Sequence, residues 1–114
     1  MKTYRFLIKN TWVRWEAGYA NGYVAVPEGH LLYGVDYDDV KGIHIHGGLT
    51  YSGKMIPHGD FELLDGDLPH DYWCFGFDTS HFEDNLETCD REFCINEVTR
   101  LQKQIENYEN IQED

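Results

Sequence analysis

The run His44-Ile45-His46-Gly47-Gly48 holds the most concentrated chemistry in the chain. On a strand, alternate side chains face opposite ways, so Ile43 and Ile45 would turn to the core while His44 and His46 project together from the other face. Two imidazoles so placed sit about 6–7 Å apart at the backbone, close enough to coordinate one ion or to hold one ligand at two points. Gly47-Gly48 would bend the chain there and let a ligand or another backbone come close.

A second group begins at Trp73, where a run of apolar residues ends in Asp78-Thr79-Ser80-His81. Strand ends that lead into loops carry site residues well, because the strand fixes the position and the loop leaves it accessible. Asp78 and His81 are therefore expected to complete a two-strand site with His44 and His46. The plainer alternatives are two histidines on the wet face of a sheet, an Asx-turn at Asp78 and a half-buried His81.

Three chemistries fit this set. As a metal site, His44, His46, Asp78 and His81 suit Zn²⁺, Mn²⁺ or Fe²⁺, with the carboxylate as ligand or as partner to an imidazole. As a metal-free catalyst, two of His44, His46 and His81 would act as general base and general acid in phosphodiester cleavage. As a binding pocket, His44, His46, Asp78 and His81 would join Thr50, Tyr51 and Ser52 as polar contacts, with Trp73 or Phe75 stacking on a base. No P-loop, GxGxxG, nucleophile elbow, HExxH or EF-hand pattern is present, and Asp36-Tyr37-Asp38-Asp39 reads as an acidic turn.

The elements that must carry these residues are mostly short strands. Tyr4–Lys9 and Thr11–Glu16 read as a hairpin or bulged pair, and Ala17-Gly18 and Asn21-Gly22 as turns before a strand over Tyr23–Val26 closed by Pro27. Ile43–His46, Leu49–Ser52, Phe61–Leu64 and Tyr72–Phe77 follow as strand candidates. In the last, Trp73, Phe75 and Phe77 share a face. From Asp90 the period changes: Cys94, Val98, Leu101, Ile105 and Tyr108 form one apolar stripe at helical spacing, with Asp90 as N-cap. The expected fold is α+β, an antiparallel sheet of about five to seven short strands with one long C-terminal helix packed on it. A single domain over 1–114 is expected, with strands and loops over 1–89, the helix over 90–110 and a frayed end at 111–114.

Charge limits the partners. The 114 residues include 21 Asp+Glu against 9 Lys+Arg, a formal net charge of −12. Residues 55–90 hold ten of the acids and no Lys or Arg, whereas residues 1–26 carry Lys2, Arg5, Lys9 and Arg14 against Glu16 alone. Such a field repels phosphate backbones and anionic lipid, which argues against bulk nucleic-acid binding and for a cationic protein partner. No run approaches the ~20 apolar residues of a membrane span, and the opening residues do not form a signal-peptide core, so a cytoplasmic protein without a membrane partner is expected. Aromatics make up 15% of the chain, raw material for a stacking pocket or a core. Cys74, Cys89 and Cys94 lack CxxC spacing and read as reduced, mostly buried thiols.

The blocks Gly22-Tyr23-Val24-Ala25-Val26-Pro27-Glu28-Gly29-His30, Leu32-Tyr33-Gly34-Val35-Asp36-Tyr37-Asp38-Asp39, His44-Ile45-His46-Gly47-Gly48-Leu49-Thr50-Tyr51-Ser52-Gly53, and Trp73 with Gly76-Phe77-Asp78 and His81 together resemble a family of small, uncharacterised bacteriophage and prophage proteins. The resemblance spans roughly residues 22–100. It implies a phage accessory protein acting in the host cytoplasm and transfers no catalytic role to any residue; Leu31 stands where such proteins carry Pro. The functional expectation is a counter-defence protein that binds a small phosphorylated or nucleotide-like ligand at the histidine site. The alternatives are a metal-dependent or histidine-based phosphodiesterase, and an acidic inhibitor of a basic nucleic-acid-binding host enzyme. A sheet edge or the helix stripe would serve a homo-oligomer.

Overall fold

A computed structural model describes residues 1–10, 17–81 and 84–113, with side chains as far as 108. Five strands, β1 (Tyr4–Lys9), β2 (Ala20–Pro27), β3 (Tyr51–Gly53), β4 (Phe61–Leu63) and β5 (Tyr72–Phe77), precede one helix, α1 (Arg91–Glu113). The strands form one antiparallel sheet in the order β3-β5-β2-β1-β4. The fold is α+β, as the change of period at Asp90 predicts.

The alternation within each central strand decides which face carries the helix. Leu7, Val24, Val26, Phe75 and Phe77 are buried on one side of the sheet, and Cys94, Val98, Leu101 and Ile105 of α1 are buried with them. Removing one such side chain from water contributes roughly 1.5–3 kcal/mol, so the helical stripe is the main force docking α1. Asp90 starts the helix, its Oδ1 accepting from the Phe93 N–H at 2.8 Å. On the opposite face Phe6, Ile8, Tyr23, Ala25 and Cys74 form a smaller cluster, with the Phe6 and Tyr23 rings stacked at 5.1 Å between centroids.

Three local expectations change. Asn21-Gly22 is not a turn but lies inside β2, where Gly22 faces Phe77 of β5; a Cβ there would lie 2.6 Å from the Phe77 ring. The glycine makes room for a core aromatic. Ile43–His46 forms no strand, and the physical reason lies in α1, whose side chains supply the hydrogen bonds that a neighbouring strand would have given. The strand expected over Leu49–Ser52 is shifted toward Gly53 and runs over Tyr51–Gly53. The expected strand Thr11–Glu16 lies outside the described residues, and the neighbours of β1 in the sheet are β2 and β4. Asp36–Asp39 is an acidic turn as expected, a short 3₁₀ element capped by the Asp36 side chain.

Folding also brings the basic N-terminal segment against the acidic block. Arg5 makes a two-pronged ion pair with Asp65, Lys9 lies 3.5 Å from Asp60, Lys54 lies 3.5 Å from Asp71, and Arg91 pairs with Glu62. Asp65 further accepts from Gln102 of α1, and Arg5 donates to Thr99, so this pair clamps strand, loop and helix together. Two hydrogen bonds from the Arg5 guanidinium and one from its backbone N–H hold the Asp65 carboxyl down to about 2 despite partial burial.

Candidate metal centre

The segment Ile43–His46 is held against α1 by side chains one turn apart. The Gln104 amide accepts from the His44 N–H at 2.7 Å and donates to the His44 carbonyl at 2.9 Å. Arg100 donates to the same carbonyl, and Glu97, only 6% exposed, accepts from the His46 N–H at 2.7 Å while binding Arg100 through both oxygens. Positions 97, 100 and 104 share a helix face, which gives the segment a ladder of polar side chains. Ile43 and Ile45 pack on the core, so the predicted alternation survives without the strand. His44 is exposed and His46 is half-buried.

On the other side, Thr79 anchors the turn after β5. It is fully buried, its hydroxyl donating to the Ala20 carbonyl at 2.8 Å and accepting from the Asn10 amide at 3.1 Å. Asp78 adopts the Asx-turn, accepting from the Ser80 N–H at 3.1 Å, and its carboxylate lies 3.3 Å from His81 Nδ1. Two residues beyond this anchor, the His81 ring lies against Gly47. A Cβ on Gly47 would sit 2.3 Å from Cε1 and 2.5 Å from Nε2 of that ring, and the backbone there has φ +69°. The close approach expected at Gly47 is made by His81.

Between the two histidines stands Asp84. His46 Nε2 lies 2.9 and 3.0 Å from the two Asp84 oxygens, and His81 Nδ1 lies 3.3 Å from Oδ2, which also accepts from the His81 N–H at 3.0 Å. One donor atom from each of His46, His81 and Asp84 lies within 4.8 Å of the others. The His46 ring is wedged edge-on between His81, 5.6 Å away, and Phe93 of α1, 5.2 Å away, so packing fixes its direction. Asp84 is 8% exposed. Burial raises its carboxyl, but the hydrogen bonds from His46 and His81 outweigh that effect and leave it below the ordinary carboxylate range. Beneath it lies Cys89, with Sγ 3.6 Å from Asp84 Oδ1 and 3.9 Å from His46 Nε2. Burial pushes this thiol up, with the Asp84 charge adding to it against a hydrogen bond from Thr88.

Of the residues singled out from sequence, His46 and His81 meet, and Asp78 borders them through His81. His44 stands outside the three-donor set. Thr50 is exposed, Tyr51 packs with Tyr23 on the sheet face away from α1, and the Ser52 hydroxyl accepts from the Tyr37 N–H at 3.0 Å. Trp73 donates from Nε1 to the Val35 carbonyl at 2.9 Å and packs on the core; it lies four residues before Phe77, about 13 Å along β5. These four secure loops and strands rather than the histidine centre. Nothing in the sequence marks Asp84, among the ten acids of residues 55–90, as one that becomes buried.

An open cavity of about 470 Å³ lies beside His46, between the segment 43–48 and α1, with Phe93, Glu97 and Arg100 in its wall; His81 and Asp84 are not part of its lining. No helix among the described residues is long and apolar enough to cross a membrane. No family model matches the chain, and neither does any curated protein or solved structure.

Proposed function

We propose that His46, His81 and Asp84 bind one divalent transition-metal ion, and that this ion recruits a small phosphorylated ligand to the cavity beside His46. The observation that carries the reading is the convergence of two imidazole nitrogens and a buried carboxylate within 4.8 Å of one another, His46 from one segment and His81 and Asp84 from one turn of another. Metal bonds of about 2.0–2.2 Å in a tetrahedron set its donors roughly 3.3–3.6 Å apart, so the two His–Asp84 contacts of 2.9 and 3.3 Å need a few tenths of an ångström of expansion, while the imidazole nitrogens stand within 4.8 Å of each other. Two imidazoles and a carboxylate suit Zn²⁺, Mn²⁺ or Fe²⁺.

The half-exposed imidazoles leave the solvent side of such an ion open to a phosphate oxygen. Arg100 in the cavity wall is already engaged by both Glu97 oxygens and the His44 carbonyl, so the charge that answers a net −12 has to come from the ion itself. In the metal-free catalytic alternative His46 would have to act through Nδ1, because Nε2 is bound by both Asp84 oxygens. The acidic-inhibitor alternative is weakened by the pairing of Asp60, Glu62, Asp65 and Asp71 with basic side chains of the same molecule. The counter-defence role inferred from the phage resemblance would be exercised through the bound ligand.

Calorimetric titration of chelator-treated protein with Zn²⁺ and with Mn²⁺ tests the first step, and titration of nucleotides with and without the ion tests the second. One equivalent of metal and metal-dependent nucleotide binding are expected. Absence of any metal binding overturns the proposal, and metal-independent nucleotide binding overturns the link between the two.

A further inference from the structure

Three cysteines are buried, and the direction of their sulfurs separates them. Cys74 Sγ faces the Gly53 carbonyl at 3.3 Å and Cys94 Sγ faces the Ala20 carbonyl at 3.4 Å, ordinary resting places for a buried thiol. Cys89 Sγ instead faces the Asp84 carboxylate at 3.6 Å and the His46 Nε2 at 3.9 Å, two of the three donors of the centre. Its backbone is pinned from both sides: the Cys89 carbonyl accepts from the Tyr19 N–H at 2.7 Å and its N–H donates to the Asn85 carbonyl at 2.8 Å. Gly18 is pressed so closely against it that a Cβ on the glycine would lie 2.4 Å from the Cys89 Cβ. The sulfur is thus held under the carboxylate on the side away from solvent, at 1% residue exposure.

We infer that Cys89 is the inner ligand of the metal centre, so that the ion held by His46, His81 and Asp84, the reading on which this rests, is a thiophilic one of the zinc class. On coordination the Cys89 S–H bond is broken, its proton passes to solvent and a sulfur–metal bond forms, with no change in oxidation state. In a tetrahedral site with a metal–sulfur bond near 2.3 Å and a metal–nitrogen bond near 2.05 Å, sulfur and nitrogen stand roughly 3.5–3.6 Å apart. The 3.9 Å between Cys89 Sγ and His46 Nε2 is a few tenths longer and 3.6 Å to Asp84 Oδ1 already fits, whereas Cys89 stands outside the set of donors that all lie within 4.8 Å of one another, so the His81 imidazole has to swing toward the sulfur for all four to meet one ion. The thiolate selects against Mn²⁺ and Mg²⁺, which prefer oxygen donors. It also fills the dry side of the ion, so a phosphate oxygen enters from the side of the two half-exposed imidazoles as a fifth donor.

Cobalt titration of the chelator-treated full chain tests this, because a thiolate ligand adds an intense near-ultraviolet charge-transfer band to the visible spectrum of bound Co²⁺. The expected result is one equivalent of Co²⁺ with that band, its displacement by Zn²⁺, and little displacement by excess Mn²⁺. Cys89→Ser and Cys89→Ala should keep the visible bands, lose the charge-transfer band and weaken binding on the order of 100-fold. Cys94→Ala, which removes an equally buried thiol, should keep the band. Cobalt bound to the wild type without a charge-transfer band overturns the role of Cys89 and leaves the His46–His81–Asp84 reading standing; no cobalt binding overturns both. The wild-type spectrum decides the question even if a Cys89 variant does not fold.

Discussion

Replacing Gly47 by alanine separates the two demands that the double glycine meets. A Cβ at Gly47 would lie 2.3, 2.5 and 2.9 Å from Cε1, Nε2 and Nδ1 of His81, whereas unstrained contacts between such atoms are about 3.5–4.0 Å. The imidazole must therefore retreat by roughly an ångström, and as the end of a side chain it can do so at little cost to the fold. A metal–nitrogen bond of about 2.0–2.1 Å cannot stretch that far, so one donor is lost. Gly48 supplies the control: its φ of +79° resembles the +69° of Gly47, but a Cβ there meets nothing within 4 Å. Both alanine variants carry the left-handed backbone penalty, about 1–2 kcal/mol, and only one displaces His81. Urea unfolding in the presence of chelator should show similar destabilisation for the two. Zinc calorimetry should show Gly47→Ala weakened by on the order of 100-fold and Gly48→Ala close to wild type. Equal zinc affinity in the two variants would refute the placement of His81 in the centre.

Two further perturbations probe the frame around the site. The Asp65 carboxyl titrates at about 2 rather than 3.8, so its stabilising contribution is fully present above about pH 3.8 and is lost as pH falls through about 2. Asp65→Asn should cost about 2 kcal/mol at neutral pH, with the gap to wild type closing as the solution is acidified, in urea unfolding at a series of pH values; a gap independent of pH would contradict the clamp. Gln104→Ala removes both hydrogen bonds to the His44 peptide group, and at about 1 kcal/mol net it should speed hydrogen exchange of the His44 amide by roughly fivefold. Unchanged exchange there would mean that the segment is held by Glu97, Arg100 and the Ile43 and Ile45 packing without help from Gln104.

The residue pattern was enough for the elements whose periodicity is local. The spacing of Cys94, Val98, Leu101 and Ile105 sets one buried stripe on α1, and the aromatic alternation of Tyr72–Phe77 sets β5 with its Phe75 and Phe77 face inward. Both signals are contained within a few residues, where burial of one face is the dominant energy. The run Ile43–His46 has the same alternation, yet no strand forms there. Whether an alternating segment joins a sheet depends on what offers hydrogen bonds beside it, and here Glu97, Arg100 and Gln104 offer them from a helix more than fifty residues away.

The candidate centre divides in the same way. His46 and His81 were legible as chemistry-bearing residues because histidines near a glycine pair and at a strand end stand out by type. Asp84 and Cys89 were not, because their part depends on burial and direction, which arise only when Thr79 ties the turn after β5 to the Ala20 carbonyl and Gly18 admits Cys89. Composition alone likewise gave one acidic block and one basic segment. Tertiary structure decides that Arg5 and Lys9 spend their charge on Asp65 and Asp60, while Asp84, deep in the same block, is left to the two imidazoles. Charge is a property of the residues, but the partner that neutralises each charge is set by which segments the core brings together.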